Sequence, residues 1–434
     1  MREVRRGHSG LCSRAGSLAW GWRLEAGLGV LTGSWWRLGD LAGGPGAAVL
    51  VLGTCGISLW RMPTAKATLA EWLWASSVRR WFARALRLCG VWGPTGTAPV
   101  LRQVTSTSAG IRVRVEVPLG THAGQLLGAG PALAAALGVR EIRVTRDAGD
   151  ASMANVTVVR RDPLAVGPPL AWPWVEAART SVWDPVPAGI DEEGRVVTVA
   201  LPEHHLLLGG EPGAGKSAAL SLLVATAALD PSCSLTLLDA KQVELATWRD
   251  AAVRFVGPDM AEANEVLESL RTEMDRRYES LLATGRRKVT IGDGLGIHVV
   301  AVDELAYFLR AGTKEQRTVF AEALRDLVSR GRAAGIVVLA ATQRPSHEII
   351  PTSIRDLFSF RFALRCTTPE SSDTVLGQGW ASKGYSAATI DPRNRGVGFL
   401  LHEGGVPVRL RSFYLGDDDV VALARRAAAM RGER

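Results

Sequence analysis

From His205 the chain runs an apolar strand, His205 to Leu208, into Gly210-Glu211-Pro212-Gly213-Ala214-Gly215-Lys216-Ser217, and out into a helical run, Ala218 to Leu229. Strand, glycine-rich turn and helix in that order constrain the surrounding fold more than any other stretch of the sequence. Glycines here let backbone N–H groups converge on one anion, where side chains would block close approach. The start of the helix adds partial positive charge. In this G-x4-G-K-S spacing, Lys216 reaches the β- and γ-phosphates of a nucleotide and the Ser217 hydroxyl can ligate Mg2+. The reading is an ATP–Mg2+ site on residues 210–217.

Such a loop needs an acidic partner on a nearby strand. Ile297 to Val302 is apolar and runs straight into Asp303-Glu304. Two adjacent carboxylates at a buried strand end are costly unless a cation neutralises them. Asp303 is therefore expected to hold the Mg2+ through water, and Glu304 to polarise the attacking water. A further strand, Gly335 to Ala341, ends in Thr342-Gln343-Arg344-Pro345, where Gln343 is placed to sense the γ-phosphate. A fourth, Leu235 to Leu238, ends in Asp239-Ala240-Lys241. Between them Ala261 to Ala283 has the apolar stripe of a long helix, with Asp259 and Glu262 at its start and Gly285 as its stop. Strands alternating with helices around such a loop predict an α/β, RecA-like P-loop NTPase motor with a mostly parallel sheet.

Charge divides the chain. The net charge is +8, and residues 1–100 hold 12 Lys/Arg against 4 Asp/Glu, so the whole excess lies there and the remainder is balanced. That argues against a nucleic-acid-binding body in spite of the basic total, and for a segment held against an anionic membrane surface. Nine of the 14 tryptophans fall in the same stretch, a residue favoured at headgroup level. Leu41 to Trp60 carries no charge over a span of the ~20 residues that a transmembrane helix needs. Ala15 to Trp36 is a candidate first helix of a hairpin, although it carries Arg23 and Glu25. Leu69 to Leu88 interleaves Trp74, Trp81 and Phe82 with Arg79, Arg80, Arg84 and Arg87, as an interfacial helix does. Residues 1–98 are accordingly read as a membrane anchor (41–60, 15–36 and 69–88 its helices), leaving the motor in the cytoplasm. Five cysteines without a CxxC pair suit a reducing compartment and argue against a zinc site, an iron–sulfur cluster or a disulfide scaffold.

Residues 99–165 read as a small α+β module. Ile111, Val113, Val115 and Val117 alternate with Arg112, Arg114 and Glu116, Gln125 to Leu137 has helical spacing, and Glu141–Thr145 and Asn155–Arg160 are strand-like. Nothing there forms a catalytic constellation, and the expected role is a spacer or ring platform. Residues 166–194, rich in proline and tryptophan, read as a linker, 195–416 as the motor, and 417–434 as a short tail.

Over Val196 to Leu415 the chain resembles the FtsK/SpoIIIE-type DNA translocases, hexameric ring pumps for double-stranded DNA. Carrying the resemblance are the glycine loop, Leu237-Leu238-Asp239-Ala240-Lys241 with Glu244-Leu245, Glu273-Met274-Asp275-Arg276-Arg277-Tyr278, Asp303-Glu304-Leu305-Ala306, and Gly331 to Gly335 leading to Ala341-Thr342-Gln343-Arg344-Pro345. It implies a homo-oligomeric ring, a DNA substrate and a membrane partner. Within the family the chain is most similar to the transfer proteins of actinomycete conjugative plasmids and integrative elements. Two positions depart from the family pattern: Ala240 stands where proline is usual, and Asp373 where an arginine is common. The trans-acting arginine that a ring motor delivers to its neighbour's γ-phosphate is therefore sought at Arg361 or Arg365, with Arg344 a third candidate. The family's chromosomal members often end in a DNA-reading winged helix, and Gly416 to Arg434 is too short to form one. Candidate DNA contacts are Arg286-Arg287-Lys288 and, in a proline-flanked loop, Arg393 and Arg395. Other uses of such an engine are a chromosome-segregating septal pump and a protein-secretion ATPase. The latter is expected to carry several motor repeats, and no second G-x4-G-K-S occurs in the sequence.

Overall fold

The computed structural model describes residues 81–94, 96–147, 149–165, 167–343, 345 and 350–432. The candidate membrane helices 15–36 and 41–60, and the first part of 69–88, lie outside them. Residues 81–88 are helical, with Phe82 and Leu86 buried, Trp81 and Leu88 exposed, and the Arg84 guanidinium 5.4 Å from the Trp81 ring. Among the described residues no helix is long and apolar enough to cross a membrane.

The amino-side module folds as a four-stranded antiparallel sheet in the order β1-β2-β4-β3, from β1 (Val100–Thr107), β2 (Gly110–Glu116), β3 (Glu141–Arg146) and β4 (Met153–Val159). Helices α1 (Ala123–Gly128) and α2 (Gly130–Leu137) cover one face. The alternation from Ile111 to Val117 is the buried face of β2. Strand β1 has no such alternation because neither of its faces is buried, and only its pairing with β2 makes it a strand. The helical stretch 125–137 divides at Ala129, with Pro131 in the first turn of α2, where its missing N–H does no harm.

The motor is built on a ten-stranded sheet, β6-β5-β14-β13-β12-β7-β11-β10-β8-β9. Its parallel part comprises β7 (Leu206–Gly210), β8 (Ser234–Asp239), β9 (Arg254–Val256), β10 (His298–Asp303), β11 (Ile336–Gln343) and β12 (Phe360–Leu364). The antiparallel extension is β5 (Val186–Asp191), β6 (Val196–Val199), β13 (Val397–His402) and β14 (Val408–Ser412). Central strands are buried at nearly every position and mostly apolar because helices cover both faces. Val299 and Ala301 point to one core with α3 (Lys216–Ala228), while Val300 and Val302 point to the other. That second core is filled by α4 (Met260–Ala283) and α6 (Lys314–Arg330), through Leu267, Leu270, Met274, Phe320 and Leu327. Asp259 caps α4 by accepting from the N–H groups of Ala261 and Glu262, and Gly285, at φ +66°, closes its other end.

Two boundaries differ from the sequence reading. Residues 166–194, expected as linker, supply β5 to the motor sheet and the fully buried Trp172, whose indole N–H donates to the Pro187 carbonyl at 3.1 Å. Pro187 hides this strand in the sequence, and the structure accommodates it at a register shift between Pro187 and Gly189. Within 417–434, expected as a tail, Asp417–Gly432 form the helix α9, which buries Leu423, Ala424 and Ala427. From α9, Arg431 donates to the carbonyls of Ala227, Asp230 and Cys233 at the end of α3.

The module is joined to the motor by charge. Arg409 on β14 donates to Asp162 at 2.8 and 2.6 Å and to Glu192 at 2.8 Å. Arg143 on β3 bonds the same Glu192 and lies 3.5 Å from Asp162. Buried Asp162 and half-buried Glu192 thus each have two guanidinium partners.

Candidate nucleotide-binding and hydrolysis site

Strand β7 is wholly buried and delivers residues 210–217 to the C-terminal edge of the parallel sheet, where α3 begins. The turn demands glycine: Gly213 and Gly215 sit at φ +74° and +106°, and a Cβ on Gly215 would lie 2.9 Å from the Gly396 nitrogen. Lys216 is buried, and its ammonium donates to the carbonyls of Gly210 and Glu211, both at 2.9 Å. Burial lowers its pKa, opposed by the nearby Glu304 and Asp303. With phosphate in the loop, the same ammonium has a stronger acceptor to turn to. Glu211 is held sideways by Arg365 and Thr367.

Strand β11 separates β7 from β10, so Gln343 stands between the glycine loop and the acidic pair. Asp303 is buried, and one of its carboxylate oxygens, Oδ2, has no hydrogen-bond partner. Burial, reinforced by Asp239, Glu244 and Glu304, pushes its pKa up to about 7 against the pull of Lys241. An orphaned carboxylate oxygen beside other carboxylates fits a divalent cation. No group of three or more His, Cys, Asp or Glu among the described residues could hold a metal alone. Mg2+ is a cation that binds through one or two protein ligands and the phosphates of its nucleotide.

Glu304 begins the short helix α5 (Leu305–Phe308) in a left-handed conformation, φ 59° and ψ 61°. A non-glycine residue held there marks local strain that the surroundings enforce. Its Oε1 accepts from the Gln343 backbone N–H at 3.0 Å and from the Thr342 hydroxyl at 3.4 Å, while Lys241 Nζ lies 3.8 Å from Oε2. Gln343 therefore touches Glu304 through its main chain. Thr342 and Lys241 carry no site signal of their own in the sequence, although both stand at the ends of strands legible there.

Other motif residues are architectural. Asp239 accepts from the N–H groups of Lys241, Gln242 and Leu245, closing the turn after β8. Glu273 bonds His298 at 3.0 Å and Arg277 at 2.9 Å, Arg277 donates to the Gly296 and Ala334 carbonyls, and His298 faces Thr236 at 2.8 Å. Burial opposes ionisation of Glu273, but His298 and Arg277 outweigh it and hold its pKa down to about 2.

The two arginines sought for a trans role, Arg361 on β12 and Arg365 just after it, both have partners within the chain. Arg365 follows the strand on the nucleotide edge and pairs with Glu211. Arg361 sits at the other end, paired with Asp356 at 3.3 Å, with a buried Nε that has no partner. Arg344 lies outside the described residues. Asp373, where an arginine is common, accepts from the N–H groups of Gly379 and Ala381 and so holds the following loop. Of the candidate DNA contacts, Lys288 pairs with Glu203 at 2.6 Å, Arg286 lies 3.9 Å from Asp293, and Arg287 is exposed. Arg393 is tied to Asp391, and Arg395 is exposed beside the glycine loop.

Residues 176–375 match the FtsK/SpoIIIE family model. The DNA translocase FtsK of Lactococcus lactis subsp. cremoris (strain MG1363) is 27% identical over 337 residues, 72% of this chain and 42% of that protein. FtsK of Streptococcus pneumoniae (strain ATCC BAA-255 / R6) is 26% identical over 332 residues, 71% and 42% of the two chains. The chain thus spans less than half the length of these relatives. Among solved structures, the monomer form of the pCW3 conjugation coupling protein TcpA with ATPγS superposes with a TM-score of 0.56 at 18% identity, over 81% of this chain and 98% of that one. ATPases 2 and 3 of EssC from Geobacillus thermodenitrificans superpose with a TM-score of 0.50 at 16% identity, over 62% and 52%. These two likenesses are of fold. Its glycine loop, acidic strand end and motor motifs thus lie on one RecA-like sheet, and over residues 176–375 the chain carries an FtsK/SpoIIIE-type P-loop ATPase domain.

Proposed function

We propose that the chain is an ATP-driven translocase of double-stranded DNA, working as a homo-oligomeric ring of six held at the cytoplasmic membrane by residues 1–98. The observation that carries the reading is the juxtaposition at one sheet edge of Lys216, the unsatisfied Asp303 and the strained, tethered Glu304. Lys216 and the N–H groups of residues 213–217 bind the phosphates, and Ser217 and Asp303 would hold Mg2+, which would neutralise charge on the transferring phosphoryl group. Glu304, aimed by the Gln343 N–H and Thr342, takes the proton of the attacking water. Gln343, on the strand between loop and carboxylates, transmits loss of the γ-phosphate.

Conjugative transfer is the role favoured within this reading, since the likeness to the coupling protein TcpA extends over nearly all of that chain. A chromosomal septal pump is the alternative, supported by the FtsK relatives. The test is ATP hydrolysis by the full chain with and without duplex DNA. Stimulation by DNA, abolished by Lys216→Ala or Glu304→Gln with the fold intact, is expected, together with displacement of a third strand from a triplex. Vigorous hydrolysis indifferent to DNA of any length would overturn it.

A further inference from the structure

The glycine loop has a second wall, formed by a segment nearly two hundred residues away in sequence. Gly396 N–H donates to the Ala214 carbonyl at 2.9 Å, and the Arg395 carbonyl carbon lies 3.9 Å from where a Cβ on Gly215 would stand. Residues 391–396 therefore run against the point where α3 starts and phosphates bind.

This segment is braced on several sides. Asp391 accepts from the Arg393 N–H and guanidinium and lies 3.5 Å from Arg140 of the module. Asn394 points inward to Asp162, also at 3.5 Å, and the Gly396 carbonyl accepts from Ser412 N–H at 2.8 Å. Arg393 is neutralised by Asp391. Arg395 is different: exposed, and without an ion pair to any described residue.

Strand order says which end of a nucleotide this segment lies nearer. Asp303 and Glu304 lie on the β11–β10 side of β7, so the γ-phosphate points that way. β12 and β13 lie on the other side, and residues 391–396 lead into β13 at the same sheet edge. We propose that Arg395 binds the α-phosphate and ribose end of the nucleotide in its own subunit, rather than DNA. Its contact is a charge-assisted hydrogen bond made in both nucleotide triphosphate and diphosphate complexes, so it serves affinity and not the chemical step.

The inference rests on the glycine loop being the nucleotide site, and the experiment separates the two. Full-length wild type, Arg395→Ala, Arg395→Lys, Arg393→Ala and Lys216→Ala are titrated with a fluorescent ADP without DNA, then assayed for ATP hydrolysis across ATP and DNA concentrations. Arg395→Ala is expected to weaken ADP binding and raise KM for ATP about tenfold, with kcat and the half-saturating DNA concentration within twofold of wild type. Arg395→Lys recovers part of the affinity, and Arg393→Ala leaves it near wild type. Unchanged ADP affinity with a several-fold shift in half-saturating DNA would overturn the proposal and return Arg395 to DNA contact. If Lys216→Ala also binds ADP like wild type, the nucleotide-site reading itself has failed.

Discussion

A carboxylate whose pKa is pushed up to about 7 by burial carries a stability cost that depends on pH. The unfolded chain releases the Asp303 proton near an ordinary aspartate value, while the folded chain keeps it until about pH 7. Between those values the folded state binds more protons, so this group's contribution to stability falls as pH rises. Asp303→Asn removes the titration. Without nucleotide, the variant is expected to gain on wild type by about 2–4 kcal/mol between pH 4 and pH 8. Thermal denaturation of both proteins across that range checks it, and parallel curves would show that Asp303 ionises normally. Glu273 has the opposite sign. Its carboxylate is held down to about 2, so its contribution is present at neutral pH and lost as pH falls through that low window. Because Glu273 is partly exposed, Glu273→Gln is expected to cost only about 1–2 kcal/mol at pH 7 by denaturant unfolding, less at pH 3. The sequence showed both residues within motifs, yet only the structure separates the chemical one from the architectural one. Asp303 has an oxygen with no partner, whereas Glu273 has a histidine and an arginine.

At the level of elements, legibility followed burial. The glycine-loop strand, the acidic strand and the long helix α4 are continuous in sequence and carry their period or their caps within a short window. Each lies within a residue or two of its expected place. What escaped reading depended on distant partners: β1 is a strand only because β2 pairs with it, and β5 looks like linker because of Pro187. The approach of Gly396 to Ala214 has no local trace at all. Helix α9 was missed for a related reason. Its first turn is Asp417-Asp418-Asp419 and its apolar side is mostly alanine, so its packing shows only once the surface it covers exists. Leu423→Ala is accordingly expected to cost about 2–4 kcal/mol in chemical denaturation, the usual loss for a buried leucine. A free tail would tolerate the change without effect.

Across the whole molecule, basic charge and motor are separate. Residues 1–100 hold the excess of 8 positive charges, while the sheet, its two helical layers and the module are balanced by paired carboxylates and guanidiniums. A membrane surface and a DNA duplex are both polyanions, so a single basic body would not distinguish them. On the proposed function, dividing the chain would let the amino segment carry affinity for lipid while the motor binds DNA through a few local cations, such as the exposed Arg287. The two interactions should therefore come apart on truncation. Full-length protein is expected to float with vesicles containing anionic lipid, and a chain starting at residue 96 is expected to stay behind while retaining DNA-stimulated hydrolysis. Raising salt should weaken DNA stimulation of both alike, with a shallow dependence set by few phosphate contacts. If the truncated chain still bound vesicles, or lost its response to DNA with its ATPase intact, charge would not be divided by function in this way.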